Sequence, residues 1–526
     1  MALRGAQETL VFPPRQDYGL WESDSHLVQL KLPTDLKPGD YHVYIHNSLG
    51  GELGWRKAGR VRVAPKQEKP VRVFDVRAHG GKGDGVANDL AAIKAAMSAA
   101  QAAGGGVVFF PPGTYAVDES VRVPSGVTLR GASRENTVIK GFGYDPAQGS
   151  RPWYSPDNKP SSVILLGSNT GLESLTVSGC VSKGAGGEAL VETVPDEVVV
   201  PAGGEVHDVT VEGCQLRGQE VHPTHRTVLY RFGQALVVGQ TSRRIRVLNN
   251  ATEGSIVLRV TTRSEIVNNR IHGGGVAAAA YETIMDRNIL TDAPSRILFY
   301  PRRHSYVRFN EMHGFSRFSW NNASESYLVH GGSVKTVGSP TGASANTLVD
   351  AKQAWKPGHY KDATVVITSG RGFGQYRWVL GNTENTLTLE QPWRVMPDAT
   401  SEYVVGMFHT DSAFYGNLNE GCGTLHLWLD CIGIVVERHR ASLSGGTDVW
   451  GRDVTSVNEQ GVADKLGYFH PAWYNMFLNN WLDGSFMRMV SGDRADNAYL
   501  GPVLFANYAV ANTIRQPHMR KHAFVN

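Results

Sequence analysis

The sequence predicts an all-β chain in which short parallel β coils are stacked on one another. Asparagine recurs at a steady interval, because Asn250, Asn269, Asn288 and Asn310 stand 19, 19 and 22 residues apart. Each interval contains two or three short apolar runs joined by turn residues, and it lacks the 3.6-residue period of an amphipathic helix. One such coil cannot bury its apolar side alone, so stacked coils share one core.

The recurring position extends beyond these four asparagines. It is occupied in similar settings by Asn417, Asn480 and Asn507, once by His439, and earlier in the chain by Cys180 and Cys214. Asparagine tolerates a left-handed backbone and its amide can bond to the next coil, so we expect a hydrogen-bonded asparagine ladder at a left-handed bend. The cysteines are expected to be buried members of the stack, since free cysteine behaves as a small apolar residue.

Breaks in the spacing divide the chain. From Asn310 to Asn417 is 107 residues. Since Gly331 falls where the next bend is due, we expect an insertion of about 70 residues after it. The alternating segments "HLVQLKL" and "YHVYIHN" predict a separate small β domain near the start. The expected domains are a β-sandwich-like domain at 1–66, the first part of the coil stack at 67–331, an inserted β module at 332–402 and the continued stack at 403–526.

Composition favours no charged partner. The 526 residues carry 52 basic and 49 acidic side chains, a net charge of +3, which gives no general reason to expect nucleic acid or a membrane surface as partner. No apolar run approaches the roughly 20 residues that span a bilayer. The start "MALRGAQETL" lacks the apolar segment of a secretory signal, and the four cysteines have no CxxC spacing.

The glycine-rich stretch "GKGDGVANDLAAIKAAMSAAQAAGGG" begins at Gly81 and raises the alternative of a nucleotide site. It contains neither GxGxxG nor GxxxxGK[ST], so we interpret it as architecture. Asn88 or Asp89 is expected to cap a helix that Gly104 ends, and the following "VVFFP" reads as a buried strand.

Residues 74–133 carry a family resemblance. Their segments "FDVRAHGGKGDGVANDLAAI", "GGGVVFFPPGTYAV" and "VRVPSGVTLRG" resemble the opening of the pectate-lyase-like superfamily of single-stranded right-handed parallel β-helix proteins. The resemblance implies that fold, with an N-terminal helical cap, and a secreted or periplasmic location. It is similar to the branch that glycoside hydrolases, polysaccharide lyases and phage tailspikes share. No catalytic motif of the pectate lyases matches, so no catalytic residue is carried over.

Aromatic residues recur on one strand of successive coils. Aligning those strands predicts an outward-facing column of Tyr281, Tyr300, Trp320, Trp428 and Trp450. Flat aromatic faces on a wall are natural platforms for sugar rings. The alternative is an aromatic stack that loops cover.

Polar neighbours of this column supply candidate catalytic groups. Strand alternation places His426 beside Asp448 and Asp430 beside Arg452 on the outer face. Glycoside hydrolysis needs two carboxyls about 5 to 9.5 Å apart, a range that adjacent or alternate coils span. The candidate catalytic residues are therefore Asp411, Asp430, Asp453, Glu325, Asp448 and His426. The alternative for each carboxylate is a surface ion pair, for example with Arg438 or Arg452.

Three functions follow from these residues. The first expectation is a glycoside hydrolase acting on a polysaccharide or oligosaccharide, without cofactor or metal, and as a monomer. The second is a polyuronate lyase, which needs Ca²⁺ or cationic side chains such as Arg302, Arg303, His304 and Arg452. The third is a non-catalytic glycan-binding or tailspike-like adhesion protein. A long loop between His439 and Asn480, rich in aromatics, adds His470 and Trp473. The expected substrate-binding residues are Tyr281, Tyr300, Trp320, Trp428, Trp450, His409, Arg452, Arg302, Arg303, His470 and Trp473.

Overall fold

The structure, a computed structural model, describes residues 2–6, 9–11, 33, 35–46, 54–65, 71–142, 162–181, 189–193, 205–217, 234–292, 297–314, 325–330, 334–421, 424–428, 430–442, 447–457, 463–470, 472–483, 487–491, 504–510, 514–515 and 523–525. The chain forms two compact units, Met1–Val71 and Arg72–Asn526. In the described part of the first unit, four antiparallel strands are ordered Thr9–Val11, Ala2–Gly5, Gly39–His46 and Trp55–Val63.

A helix covers the first coils of the second unit. The helix Leu90–Ala102 follows a 3₁₀ turn at Arg77–His79 and buries Leu90, Ile93, Ala96, Met97 and Ala100 against the core. The carboxylate of Asp89 accepts hydrogen bonds from the backbone N–H groups of Lys82, at 2.7 Å, and Gly83, at 3.1 Å. The amides of the glycine-rich loop thus bind an internal carboxylate, which confirms its architectural role.

The rest of the second unit is a parallel β-helix with three faces, as expected. Its first face contains Val121–Val123, Ile164–Leu166, Ala189–Thr193, the start of Gln234–Leu248, Ser255–Thr262, Val276–Tyr281, Ile297–Arg303, Glu325–His330, Thr424–Trp428, Thr447–Val457, Met487–Ser491 and Ile514–Arg515. Its second face contains Val73–Asp75, Gly106–Phe110, Val127–Gly131, Thr170–Glu173, Glu205–Glu212, the end of Gln234–Leu248, Glu265–Val267, Ile284–Asp286, Tyr306–Arg308, Ala413–Tyr415, Val435–Glu437, the starts of Met476–Asp483 and Leu504–Val510, and Ala523–Val525. Its third face contains Asp84–Asn88, Gly113–Val117, Thr137–Gly141, Thr176–Gly179, Gln215–Arg217, Ala251–Glu253, Arg270–His272, Ile289–Thr291, Glu311–His313, Leu418–Glu420, Arg440–Ser442 and the ends of Met476–Asp483 and Leu504–Val510. The short strands His409–Thr410 and Cys431–Ile432 pair with each other beside the corner between the first and second faces.

The asparagine ladder forms between the second and third faces. The backbone N–H and the side-chain amide of Asn250 both donate to Oδ1 of Asn269 at 3.0 Å, and Asn269 repeats the pattern on Asn288. The expected left-handed bend lies one residue earlier, at positions such as Asn249 and Asn268, with φ of 58° and 55°. The ladder residue itself is buried, because its side chain must turn inward to reach the next coil.

A second ladder of hydroxyl side chains follows the corner between the first and second faces. The backbone N–H of Ile245 donates to Ser264 Oγ, that of Ser264 to Thr283 Oγ1, and that of Ser305 to Ser412 Oγ. In the described coils between Ile245 and Ser412, two corners are therefore fixed by side-chain hydrogen bonds to the coil that follows. The residues at these corners, next to the ladder side chains, are therefore held in fixed positions.

A module interrupts the helix after the strand Glu325–His330. Its seven antiparallel strands are ordered Val334–Gly338, Glu402–Gly406, Thr364–Ser369, Tyr376–Asn382, Thr386–Leu389, Thr347–Val349 and Gly342–Ser344. It has its own core around Trp355, Val365 and Tyr403. The helix continues across the insertion, because Glu325–His330 pairs with Thr424–Trp428. Further on, Thr447–Val457 and Ala463–His470 form an antiparallel hairpin.

Candidate functional site

A cavity of about 590 Å³ lies where the inserted module packs on the corner between the first and second faces. The parallel β-helix contributes Arg303, His304, Thr410, Asp411 and Tyr474 to its wall. The module contributes Thr364, Phe373, Gly374, Gln375, Tyr376, Arg377, Trp378, Glu390, Gln391 and Arg394. Three arginines therefore share the cavity with two carboxylates.

Asp411 is exposed at a corner of the helix. Its backbone has φ 49°, a left-handed conformation that aspartate tolerates, and its N–H donates to the Ile432 carbonyl at 3.1 Å. The next coil places Gly433 against it, where an added Cβ would lie 3.1 Å from Asp411 Oδ1 and 3.3 Å from Tyr376 Oη. Glycine at this position leaves room for the carboxylate to meet the tyrosine.

Tyr376 begins a module strand and reaches the helix. Its phenol donates to Asp411 Oδ1 at 2.6 Å, and its ring stacks on Tyr474 with centroids 6.5 Å apart. Burial first, and then the negative charge of Asp411, raises the pKa of Tyr376 well above its usual range. The phenol therefore keeps its proton at neutral pH and holds it against the carboxylate.

Arg303 links the module to the helix. Its guanidinium forms an ion pair with Glu390 and lies 4.8 Å from the centroid of the Trp378 ring. Tyr281 packs edge-on against the same Trp378, with centroids 5.7 Å apart. These contacts join two coils to two module strands, so they fix the shape of the cavity.

Two further arginines approach the cavity from the module. Arg377 donates through Nε to the Pro392 carbonyl at 2.8 Å, and its guanidinium lies 5.3 Å from the Trp393 ring centroid. Burial, followed by the positive charge of Arg394, lowers the pKa of Arg377. Among the described residues, the Arg394 guanidinium forms no ion pair. The cavity thus holds two neighbouring positive charges without a carboxylate dedicated to either, an arrangement that an anionic ligand would stabilise.

Several predicted site residues are buried instead of facing outward. Asp430 is 1% exposed, because the backbone turns left-handed there, with φ 50°, and the strand alternation stops. His409 is 0% exposed, because it is in register with Cys431, whose side chain belongs to the helix core. His426 is buried too, since both sides of its strand are covered at Leu425, His426 and Leu427. The outward orientation expected for these three residues is wrong.

The aromatic column is also only partly as expected. Trp428 and Trp450 are in register, as are His426 and Asp448. Tyr300 is in register with Ala279, two residues before Tyr281, so the two tyrosines are not register neighbours; Tyr281 is in register with Arg303, after an irregularity that shifts the pairing by one residue. Trp473 is 1% exposed in a cluster with Val366, Val404, Phe408 and Ile432, because the module covers it.

Arg302 and Arg303 connect the β-helix to the module. Arg302 donates to the Met407 carbonyl, and Arg303 forms the ion pair with Glu390. Trp320 lies outside the described residues. Eight further candidates lie in described strands, but their side chains fall outside the described part: Tyr300, Glu325, Trp428, Asp448, Trp450, Arg452, Asp453 and His470.

The module side of the cavity is not predicted by the coil repeat. Phe373, Tyr376, Trp378, Glu390 and Arg394 lie in the insertion and have no counterpart in the coil repeat. A signal was present in "GRGFGQYRW", where closely spaced glycines alternate with arginine and aromatic residues. In the described residues, no group of three or more His, Cys, Asp or Glu side chains has a geometry that would hold a metal. No described helix is long and apolar enough to cross a membrane.

Comparisons with known proteins agree with this architecture. Residues 73–150 match the family "Rhamnogalacturonase A/epimerase, pectate lyase-like". Mannuronan C5-epimerase AlgE5 of Azotobacter vinelandii is 28% identical over 250 residues, covering 42% of this chain and 24% of the relative. Alginate lyase 7 of the same organism is 42% identical over 74 residues, 13% of this chain and 9% of the relative. The chain therefore spans a quarter or less of the length of these curated relatives.

Among solved structures, the A-module of the A. vinelandii mannuronan C-5 epimerase AlgE4 is similar, with a TM-score of 0.44 and 13% identity, covering 86% of this chain and 100% of that one. The strand pairing and the matched segment together define a parallel β-helix protein with a pectate-lyase-like opening. The resemblance predicted from residues 74–133 is confirmed.

Proposed function

We propose that the protein is a polysaccharide-modifying enzyme that binds a polyuronate in the cavity between helix and module and removes the C5 proton of one uronate unit. The observation that carries the proposal is the position of the Tyr376–Asp411 pair in one cavity with Arg377 and Arg394. The similarity to a mannuronan C5-epimerase and to an alginate lyase supports an anionic glycan as substrate.

Removal of a proton from C5 needs a base and a way to offset charge on the substrate carboxyl group. The Asp411 carboxylate takes the proton, and the C5–H electron pair moves into the uronate carboxyl group. The guanidinium group of Arg377 offsets the negative charge that develops there. Arginine performs this task without a metal ion, although Ca²⁺ remains the alternative that a lyase would use.

Two outcomes share this first step. In an elimination, the electron pair returns to form the C4–C5 double bond, the C4–O4 bond breaks, and O4 takes the phenol proton of Tyr376. Protonation of Asp411 removes the negative charge and the carboxylate acceptor that help to raise the pKa of Tyr376, so the phenol becomes a better acid at that moment. In an epimerisation, water donates a proton to the opposite side of C5, the electron pair returns from the carboxyl group to form the new C5–H bond, and the chain stays intact.

The expected glycoside hydrolase is the second candidate function. Two carboxylates, Glu390 and Asp411, line the same cavity, which is the minimal set for hydrolysis. The pair of Asp411 with Asp430 loses support, because Asp430 is buried. Glu390 forms an ion pair with Arg303, so its carboxylate is engaged in the contact between the module and the β-helix.

The test uses mannuronan, polygalacturonate and a neutral glucan in deuterated water. Growth of the ultraviolet absorbance of an unsaturated uronate identifies elimination, and deuterium at C5 of an uncleaved chain identifies epimerisation. New reducing ends without either signal identify hydrolysis. The proposal fails if the neutral glucan is cleaved and both polyuronates are left unchanged in mass, absorbance and isotope content.

A further inference from the structure

We propose that the loop Gly370–Gly374 and the segment Arg394–Met396 of the module form a second sugar subsite at the mouth of the cavity, in which Phe373 stacks on a ring adjoining the reacting unit and Arg394 binds its carboxylate. The inference rests on the proposed function for the position of the reacting unit. It makes Phe373 a positioning residue for longer chains, while Asp411 and Tyr376 carry the chemistry.

Phe373 combines exposure with a fixed position. Its side chain is 57% exposed, and its ring makes an edge-to-face contact with Trp473, with centroids 5.2 Å apart and planes at 66°. Trp473 is itself buried between module and helix. An aromatic ring that a buried neighbour holds in place and that is more than half exposed suits the C–H face of a sugar.

The loop that carries Phe373 is anchored at both ends. Three of its glycines have positive φ, namely 69° at Gly370, 83° at Gly372 and 87° at Gly374. The N–H of Phe373 donates to the Gly370 carbonyl at 3.2 Å, and that of Gly374 to the Ile367 carbonyl at 3.0 Å. Because a positive φ is costly for other residues, this sequence specifies a tight loop with the ring at its tip.

Gln375 joins the two halves of the subsite. Its Oε1 accepts the backbone N–H groups of Arg394, at 2.8 Å, and Val395, at 3.0 Å. Its Nε2 donates to the carbonyls of Val395, at 2.6 Å, and Gly372, at 3.1 Å. One side chain thus holds the Phe373 loop and the Arg394 segment together, so the two are positioned as a unit.

The charges at this place favour an anionic ligand. Arg394 has no ion-pair partner in the described residues, and its charge acts on Arg377 nearby. A bound uronate carboxylate would relieve the repulsion between the two guanidiniums. Val395 and Met396, which follow Arg394 in the chain, are 46% and 45% exposed and add apolar surface next to it.

The experiment measures binding and turnover separately. Oligouronates of one, two, four and six units are titrated by calorimetry into the Asp411→Asn protein, which holds substrate without proton removal. If Phe373 stacks on a sugar ring, affinity should rise with the length of the oligouronate. A second change, Phe373→Ala, should lower the affinity for the longer oligouronates about tenfold and change that for the single uronate unit by no more than about twofold. Phe373→Trp should keep the gain with length.

Two controls identify the cause of a loss. Phe142 is another exposed phenylalanine, 40% exposed and outside the cavity, so Phe142→Ala should leave every affinity unchanged. Arg394→Gln should weaken the longer oligouronates and leave neutral oligosaccharides of equal length unchanged. The subsite is overturned if Phe373→Ala preserves the gain with length, or weakens the single unit equally.

The outcomes also separate this inference from the proposed function. Length-dependent binding that Phe373→Ala abolishes, in a wild-type protein that modifies no polyuronate, would keep the subsite and reject the proposed reaction. Turnover of polyuronates, with binding that does not depend on Phe373, would keep the proposed reaction and reject the subsite. Absence of binding to both charged and neutral oligosaccharides would reject both.

Discussion

The phenol of Tyr376 meets the carboxylate of Asp411 at 2.6 Å across the join between the inserted module and the helix. The two residues belong to separately folded elements, a strand end of an antiparallel sheet and a left-handed corner of a coil. Neither element can build the pair alone. The candidate chemistry therefore depends on docking of the module, which Arg303, Glu390 and Trp378 secure.

Replacement of the proposed base should abolish turnover without unfolding the protein. Asp411→Asn keeps a residue that tolerates the left-handed corner, so we expect a loss of about 100-fold or more in kcat at unchanged thermal stability. Asp292→Asn is the matched control, because Asp292 also occupies a left-handed corner, with φ 48°, and does not line the cavity. Equal activity of the two variants would contradict the assignment.

A methyl group at Gly374 should displace Tyr474. An added Cβ there would lie 2.3 Å from Tyr474 Oη, which donates to the Gly374 carbonyl at 3.0 Å. Gly374→Ala should therefore reduce kcat about tenfold or more by moving the ring that stacks on Tyr376. Gly358→Ala provides the comparison, since Gly358 has φ 76° and nothing within 4 Å. Its backbone strain is similar, so a kinetic defect shared by both variants would disprove the steric explanation.

The asparagine ladder should contribute strongly to stability. Asn269→Ala removes the acceptor for two donors of Asn250 and the donor to the Val247 carbonyl, all of them buried. We expect a loss of about 3 kcal/mol in the free energy of unfolding, measured in urea. The neighbouring Asn268 is exposed, so Asn268→Ala should cost only about 1 kcal/mol, from its left-handed backbone. Equal losses of unfolding free energy in the two variants would mean that the ladder hydrogen bonds do not contribute to stability.

His439 should make the helix sensitive to acid. Complete burial lowers the pKa of His439 from its ordinary 6.5 to about 4. The unfolded chain therefore binds a proton at this side chain below about pH 6.5 while the folded chain does not, and stability falls as the pH drops from there toward 4. His439→Asn should remove this dependence, worth on the order of 3 kcal/mol at pH 4. Parallel stability curves for variant and wild type between pH 7 and 4 would refute it.

The coil stack was predictable because its signal is periodic. A ladder residue must meet its counterpart in the next coil, so Asn250, Asn269 and Asn288 recur at a fixed spacing that the sequence displays. The same logic predicts an insertion between Asn310 and Asn417, which are ladder neighbours 107 residues apart. The bend itself was misplaced by one residue, because asparagine serves both as a left-handed residue and as a ladder residue.

The candidate site was only partly predictable, since Asp411 was named and its partner was not. Tyr376 lies in a module without repeats, and its contact with Asp411 depends on how two surfaces dock. The alternation of inward and outward side chains also gives a wrong prediction where the backbone leaves the extended conformation, as it does at Asp430. Burial of Trp473 follows from the same docking, which no local pattern of the helix encodes.

The ladder contact between Asn310 and Asn417 joins residues 107 positions apart, with the same 3.0 Å geometry as contacts between residues 19 apart. The parallel β-helix is therefore continuous beneath the module. An insertion between these two coils can be exchanged, lengthened or lost while the β-helix stays intact. Because the module supplies ten of the fifteen residues that line the cavity, such an exchange would give the scaffold a new specificity in a single genetic event.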